Sequence, residues 1–287
     1  MRQEISSFAL PLRSLSWIRL DELLVLQGPP LLGAAFAMGR PTYEKTAALA
    51  VFTAASCLLV AHVRALNDWS EMRADHGDSR ALSRRDMSAL WICLLVASLL
   101  LLIPFGLRTL AIALAIAVLS AVYSAPPYRA KGIPVLNSAI HLTGGVLHFL
   151  LGYSLFRVID LRGLEIAFFF ALTFVAGHLT QEVRDHDEDL LNGIGTNAVR
   201  FGKTRTFTAG LAVFTVADLL LVLLVARGIV PRALVLVAGL YPLHLYWSLS
   251  ALRAGLTSKS TRLLQRRYRM LYAGIGVLTV GALTLRP

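Results

Sequence analysis

The chain of 287 residues is 56% hydrophobic and only 16% charged, whereas soluble domains carry about 25% charged residues, so the composition excludes an ordinary soluble protein. Its net charge of +11 could suit a nucleic acid, but the arginines lie between long apolar runs. That placement is typical of residues that set membrane topology and contact lipid headgroups, so no nucleic-acid partner is expected.

Apolar runs long enough to cross a bilayer as helices, about 20 residues each, occur nine times. They lie near 20–38, 47–66, 87–105, 108–124, 134–156, 164–182, 206–226, 232–252 and 267–285. The first run is interrupted by Gln27-Gly28-Pro29-Pro30, which predicts a kink. The intervening segments are too short for a soluble domain, so residues 1–287 are predicted to form one all-α, polytopic membrane domain.

The basic residues predict the orientation of these helices. With the N-terminus in the cytoplasm, the cytoplasmic segments are 1–19, 67–86, 125–133, 183–205 and 253–266. These segments and the adjoining helix ends hold most of the 28 Lys and Arg residues, as the positive-inside rule requires. The richness in Ala, Leu and Arg suggests a bacterium, and therefore an integral protein of the bacterial inner membrane.

A first acidic cluster follows the second apolar run. If that helix continues at about 100° per residue, Asn67, Asp68, Glu71 and Asp75 fall within an arc of roughly 100°. Carboxylates grouped on one face repel one another and cost helix stability. A divalent cation would offset this cost, and hard oxygen ligands suit Mg²⁺ in particular.

A second acidic cluster, residues 182–189, ends the sixth apolar run. On a helix Glu182, Asp185 and Asp189 share an arc of about 60°. Solvated helix ends are the simpler explanation, but acidic residues in matching register at two helix ends on the same side disfavour it. The two clusters together predict a metal–diphosphate site at the membrane surface.

The loop after the fourth apolar run lies on the same predicted face. Pro126 and Pro127 must stop the helix, and the loop then presents Tyr123 together with the cations Arg129 and Lys131. Taken alone, such a loop is typical of an interfacial anchor of aromatic and basic side chains.

These three stretches together resemble the UbiA superfamily of intramembrane prenyltransferases. The first matches N-D-x-x-D-x-x-x-D, the second Y-S-x-P-P, and the third D-x-E-G-D followed by G-x-x-T. In this chain they read Asn67, Asp68, Glu71 and Asp75; Tyr123 to Pro127; and Asp185, Asp187, Asp189, Gly193 and Thr196. The chain departs from the family where Glu71 replaces Asp, Asp187 replaces Glu and Glu188 replaces Gly.

The resemblance implies nine helices around a central cavity open to the cytoplasm, and transfer of an isoprenoid from its diphosphate to a small acceptor, most often aromatic. It implies Mg²⁺ as cofactor and surrounding lipid as a partner. The implied metal ligands are Asp68, Glu71, Asp75, Asp185 and Asp189, with Asn67 orienting a ligand. The implied donor contacts are Tyr123, Arg129, Lys131 and Lys203.

The fifth apolar run carries Asn137, His141 and His148 within an arc of about 40°. This face could line the acceptor pocket, where a histidine could take a proton from a phenol or ring carbon. The alternative is that these residues hydrogen-bond across helices inside the bundle. His62 and His178 lie near the acidic helix ends, where they could either support the site or simply pack inside the bundle.

Other functions remain open at this point. A terpene cyclase of the same superfamily would keep the ionisation step, and would need a closed aromatic cavity to which Phe168, Phe169, Phe170 and Phe174 could contribute. Transfer to a phosphosugar or glycerol phosphate would need more cations in the pocket. A cation-coupled transporter should have broken helices near the midplane, whereas these acidic residues lie at helix ends.

Overall fold

The computed structural model describes residues 26–72 and 83–284, and every regular element in these two ranges is helical. The α-helices are α1 (Gly28–Met38), α2 (Tyr43–Glu71), α3 (Arg84–Leu102), α4 (Leu107–Ser124), α5 (Leu136–Tyr153), α6 (Leu161–Leu191), α7 (Asn197–Phe201), α8 (Lys203–Ala226), α9 (Val235–Ala238), α10 (Tyr241–Arg253) and α11 (Ser258–Thr284). Short 3₁₀ helices cover Ile103–Phe105, Ala130–Gly132 and Arg232–Leu234.

Six helical segments are long and apolar enough to cross a membrane. They are Tyr43–Glu71, Arg84–Phe105, Leu107–Ser124, Leu161–Leu191, Lys203–Ala226 and Arg232–Arg253. Helix α1 is apolar but shorter, and α5 is less apolar because it carries Asn137, His141 and His148. Large hydrophobic side chains are exposed on the outer faces, among them Leu107 at 82% and Leu236 at 72%. A lipid-embedded surface explains this exposure, and the chain is an integral membrane protein.

Within the described ranges, helices occupy all nine predicted apolar runs. Helix α2 continues to Glu71 and α6 to Leu191, beyond the ends of their apolar runs, so both acidic clusters begin on helices, as their helical register assumed. The interruption predicted at residues 27–30 is present, because Leu26 is helical, Gln27 is a turn and α1 begins at Gly28. Pro29 and Pro30 lie in the first turn of α1, where a missing N–H costs nothing. The eighth run is broken before α10 at Gly239-Leu240, where Pro242 opens the new helix.

The helices close into a ring. Successive contacts run α2–α4–α5–α6–α8–α10–α11–α1 and return to α2, while α3 packs against α2 and α4. This order places the C-terminal ends of α2 and α6 at one end of the bundle, where they share one cavity. The predicted arrangement of helices around a central cavity is therefore present.

Helix α1 crosses α5 at two glycines. An added methyl group at Gly152 would overlap the backbone carbonyl of Pro30, and one at Gly33 would overlap that of Phe149. Small residues let helices approach closely in membranes, where dispersion contacts replace the hydrophobic drive. The two helices are therefore in backbone contact, and Phe149 and Tyr153 are fully buried beside the crossing.

Candidate active site

A cavity of about 650 Å³ lies inside the ring at the end formed by α2 and α6. Of the predicted metal ligands, Asp68, Glu71, Asp185 and Asp189 all line it. The fifth, Asp75, lies outside the described residues. Asn67, Tyr123, Lys131, His141 and His148 also line the cavity. Side chains from four separate helices and one loop are thus brought together around one space.

The end of α2 is fixed by polar contacts. Asn67 donates from Nδ2 to Glu71 Oε1 at 3.0 Å and accepts from the hydroxyl of Ser124 at 3.2 Å. Lys131 Nζ lies 2.6 Å from the same Glu71 oxygen. Because Glu71 is half exposed while Lys131 is nearly buried, the lysine brings a positive charge to the wall beside the acidic cluster.

Arg129 connects the loop after α4 to α2. Its guanidinium donates to the backbone carbonyl of Ser70 at 2.6 Å, and its backbone is left-handed at φ 41°. A non-glycine residue in this region is strained and needs surrounding contacts to hold it. In this structure Arg129 therefore positions the loop that carries Lys131.

The end of α6 carries two cavity carboxylates with different partners. Asp185 accepts two hydrogen bonds from Arg184, both at 2.6 Å, and Arg184 also donates to Gln265 on α11 at 2.8 Å. Asp189 accepts from the hydroxyl of Thr196 at 3.2 Å. Thr196 stands just before α7, so the turn after α6 orients the second carboxylate.

Lys203 was predicted as a donor contact, and the structure places it elsewhere on the surface. Its ammonium lies 2.9 Å from Asp187, whose side chain is 69% exposed. Asp187 in turn lies 2.7 Å from the ring of His186. These three side chains form a solvent-facing cluster at the end of α6, beside the cavity wall rather than on it.

Glu182 is a central polar residue that the sequence placed in the second acidic arc without giving it a role. It is 4% exposed, and its Oε1 accepts from Asn137 at 2.6 Å and Asn197 at 3.1 Å, while its Oε2 accepts from the backbone N–H of Ala198 at 3.3 Å. Asn137 was expected to line the acceptor pocket, but it is fully buried outside the cavity lining and joins α5 to α6 and α7, which is the alternative of hydrogen bonds across helices. The helical arc of Glu182 with Asp185 and Asp189 was the available signal.

Replacing Glu182 with glutamine is expected to lower the free energy of unfolding by about 1–2 kcal/mol. One carboxylate oxygen, which accepts hydrogen bonds, becomes an NH₂ group, which donates them. Either the N–H of Ala198 or the asparagine amides then lose their acceptor. The thermal midpoint in detergent measures the effect, with Glu188→Gln on the exposed side of the same helix as the control. Equal midpoints for both variants would contradict this account of the network.

A stack of rings lines the cavity below the carboxylates. The imidazoles of His141 and His178 lie 3.5 Å apart at 11°, Tyr123 meets His141 edge-on at 4.9 Å, and Phe174 lies 5.7 Å from His141. Deeper in, the wall is aromatic. It is completed by Phe169, Phe170, Phe214, Tyr268 and Tyr272, together with His148.

The cavity therefore has an acidic rim and an aromatic interior, the arrangement expected for a charged head with an apolar tail. A model of the UbiA prenyltransferase family matches residues 28–273. The chain belongs to the UbiA prenyltransferase family. As a UbiA prenyltransferase it is an enzyme, and the family resemblance seen in its three motifs is confirmed.

Solved structures share the UbiA fold. A UbiA homologue from Archaeoglobus fulgidus superposes with a TM-score of 0.73 at 16% identity, covering 95% of this chain and 99% of that one. The same homologue bound to GPP and Mg²⁺ superposes with a TM-score of 0.67 at 17% identity, covering 92% of this chain and 97% of that one. A digeranylgeranylglyceryl phosphate synthase superposes with a TM-score of 0.72 at 12% identity, covering 95% of this chain and 98% of that one. Comparison with proteins of curated function gives no match.

The donor set of this UbiA cavity fits a magnesium ion that is shared with a substrate. Within residues 26–72 and 83–284, no three His, Cys, Asp or Glu side chains converge closely enough to enclose a metal by themselves. Mg²⁺ is commonly held by one or two carboxylates plus substrate phosphate oxygens, and it keeps several waters. Carboxylates on opposite walls of one cavity suit that mode of binding.

Proposed function

We propose that this chain is a Mg²⁺-dependent intramembrane prenyltransferase that ionises an isoprenyl diphosphate and transfers the prenyl group to an aromatic acceptor. The observation that carries the proposal is the placement of four carboxylates from α2 and α6 on the rim of one aromatic cavity. We further propose that this rim and the N-terminus face the cytoplasm of a bacterial inner membrane, as the distribution of basic residues predicts.

The donor's diphosphate would bind at the acidic rim. Asp68 and Glu71 on one side, and Asp185 and Asp189 on the other, would hold the cation, with Asp75 as the further predicted ligand. Bound Mg²⁺ would neutralise charge on the departing diphosphate. The homologue from Archaeoglobus fulgidus, solved with DMAPP and Mg²⁺ and with GPP and Mg²⁺, supports this assignment.

The chain's own residues complete the charge balance. Lys131, already 2.6 Å from Glu71, would donate to diphosphate oxygens as charge develops on them. Asn67 is held by Ser124 and would orient a carboxylate or a diphosphate oxygen. Tyr123 would contact the donor beside them, while Arg129 would act through the loop that it fixes to Ser70.

The aromatic interior would receive the tail and the acceptor. Phe169, Phe170 and Phe174 line the cavity, where aromatic rings would exclude water and stabilise an allylic cation through their π-electrons. His141 and His148 lie on the same wall, where an aromatic acceptor would be placed between the donor carbon and the ring stack.

The same lining favours a second candidate, a UbiA-type terpene cyclase acting without an acceptor. Three of the four phenylalanines that could contribute to a cyclase cavity line this one, while Phe168 is 45% exposed on the outer face of α6. In a cyclase the cation would be captured by a double bond of its own chain. The two candidates share the rim and differ in the acceptor.

Diphosphate release from purified protein in detergent tests both candidates. Geranyl, farnesyl and geranylgeranyl diphosphates would be supplied with and without Mg²⁺, and with and without a phenolic acceptor. Mg²⁺-dependent release with a prenylated phenol is the expected result. A cyclic hydrocarbon or alcohol formed without acceptor would assign the chain to the cyclases, and no release under any condition would reject the metal–diphosphate site.

A further inference from the structure

Transfer of a prenyl group to an aromatic ring carbon must end with loss of a proton, so the cavity needs a base. This inference rests on the proposed function and concerns its acceptor half. His178 on α6 lines the cavity, and only 10% of its side chain is exposed.

A buried carboxylate positions His178. Its Nε2 lies 2.9 Å from Glu182 Oε1, one helical turn along α6. Nε2 has no hydrogen-bond partner among the described residues, so its contact with Glu182 is electrostatic rather than a well-formed hydrogen bond. Glu182 is itself immobilised by Asn137, Asn197 and the N–H of Ala198. Its negative charge therefore attracts the positive charge that His178 gains on accepting a proton.

His141 fixes the other face of the His178 ring. Its Nδ1 lies 2.9 Å from the backbone carbonyl of Asn137, and a carbonyl only accepts, so Nδ1 carries the hydrogen. Two imidazoles stacked at 3.5 Å repel each other if both are charged. The pair therefore accepts only one added proton, and the carboxylate of Glu182 favours its placement on His178.

We propose that His178 is the general base that removes the proton from an aromatic acceptor, and that Glu182 and His141 are its positioning residues. The allylic C–O bond breaks and its electron pair leaves with the diphosphate. A ring carbon of the acceptor forms the new C–C bond, the C–H electron pair returns to the ring, and the proton passes to Nδ1 of His178. His148 shares the wall, but the contact with Glu182 belongs to His178.

Hydroquinone is the probe, because its four ring C–H positions are equivalent and can all be deuterated. With geranyl diphosphate as donor, His178→Gln should slow transfer to hydroquinone by about 100-fold or more. Proton loss should then limit the rate, so the variant should transfer more slowly to ring-deuterated hydroquinone than to ordinary hydroquinone. In the unsubstituted chain proton loss is expected to be fast, and the two rates should be equal. Geraniol and diphosphate formed by water capture, without hydroquinone, should be unchanged because ionisation does not use this base.

Imidazole in the buffer should restore transfer in His178→Ala, which a purely structural role would not allow. Retained geraniol formation shows that each variant is folded, and His178→Asn is the second variant if glutamine does not fold. Unchanged transfer in His178→Gln, failure of imidazole to rescue, or a loss of geraniol formation equal to the loss of transfer in both His178→Gln and His178→Asn would overturn the proposal. So would ionisation without any prenylation of hydroquinone. Absence of diphosphate release from the unsubstituted chain would instead reject the proposed function itself.

Discussion

Replacing Asp189 with asparagine is expected to slow prenyl transfer by about 1,000-fold, because several kcal/mol of charge stabilisation are lost at the departing diphosphate. Asparagine keeps the shape of the side chain and can still accept from Thr196, which now lies 3.2 Å away. The fold and the cavity should therefore remain intact. Steady-state transfer at varied Mg²⁺ measures the effect, and a higher Mg²⁺ requirement should accompany the lower rate.

Glu188→Gln is the matched control for this variant. Glu188 is the neighbouring residue on α6, it is exposed, and it stands where the family motif has glycine. Its replacement removes the same charge one residue away, so a general electrostatic effect would appear in both variants. Comparable rates for Asp189→Asn and Glu188→Gln would show that Asp189 does not contribute to diphosphate activation.

Gly152→Ala should destabilise the bundle by about 3 kcal/mol, a severe overpacking effect. The new methyl group would overlap the carbonyl of Pro30 and approach the backbone nitrogen of Ala34 at 3.0 Å. Backbone atoms cannot turn aside as a side chain can, so α1 must move away from α5. The thermal midpoint in detergent and the yield of monodisperse protein should both fall.

Gly144→Ala on the same helix is the control. A methyl group there meets only a side-chain carbon of Leu119 at 3.7 Å, an ordinary van der Waals distance. Alanine is also the better helix former by about 1 kcal/mol, so this variant should match or exceed the parent midpoint. An equal decrease in both variants would mean that the α1–α5 crossing does not depend on backbone contact.

The sequence predicted the helices well because apolar length is a local property. It missed the break before α10, where Gly239 and Pro242 stand inside a run that remains apolar throughout. Hydropathy alone ends the second and sixth runs at the acidic residues, while the backbone hydrogen bonds continue to Glu71 and Leu191, as the helical register of both clusters assumed.

The carboxylates that line the cavity were predictable from the sequence. Asp68, Glu71, Asp185 and Asp189 were found from helical register and motif, and they line the cavity. Pairing between distant residues was not predictable. The contact of Asn137 with Glu182 and that of Arg129 with Ser70 depend on how helices pack, which no local pattern encodes. Lys203 illustrates the same limit, because its partner Asp187 lies on a different helix, α6, and the sequence does not show that the two side chains meet.

The closure of the ring by α11 against α1 has a consequence for biosynthesis. The cavity wall draws on residues from Leu26 to Gly276, and a nascent chain emerges with its N-terminal half first. The wall that encloses the acidic side chains of α2 is therefore complete only after α6 and α11 have been inserted.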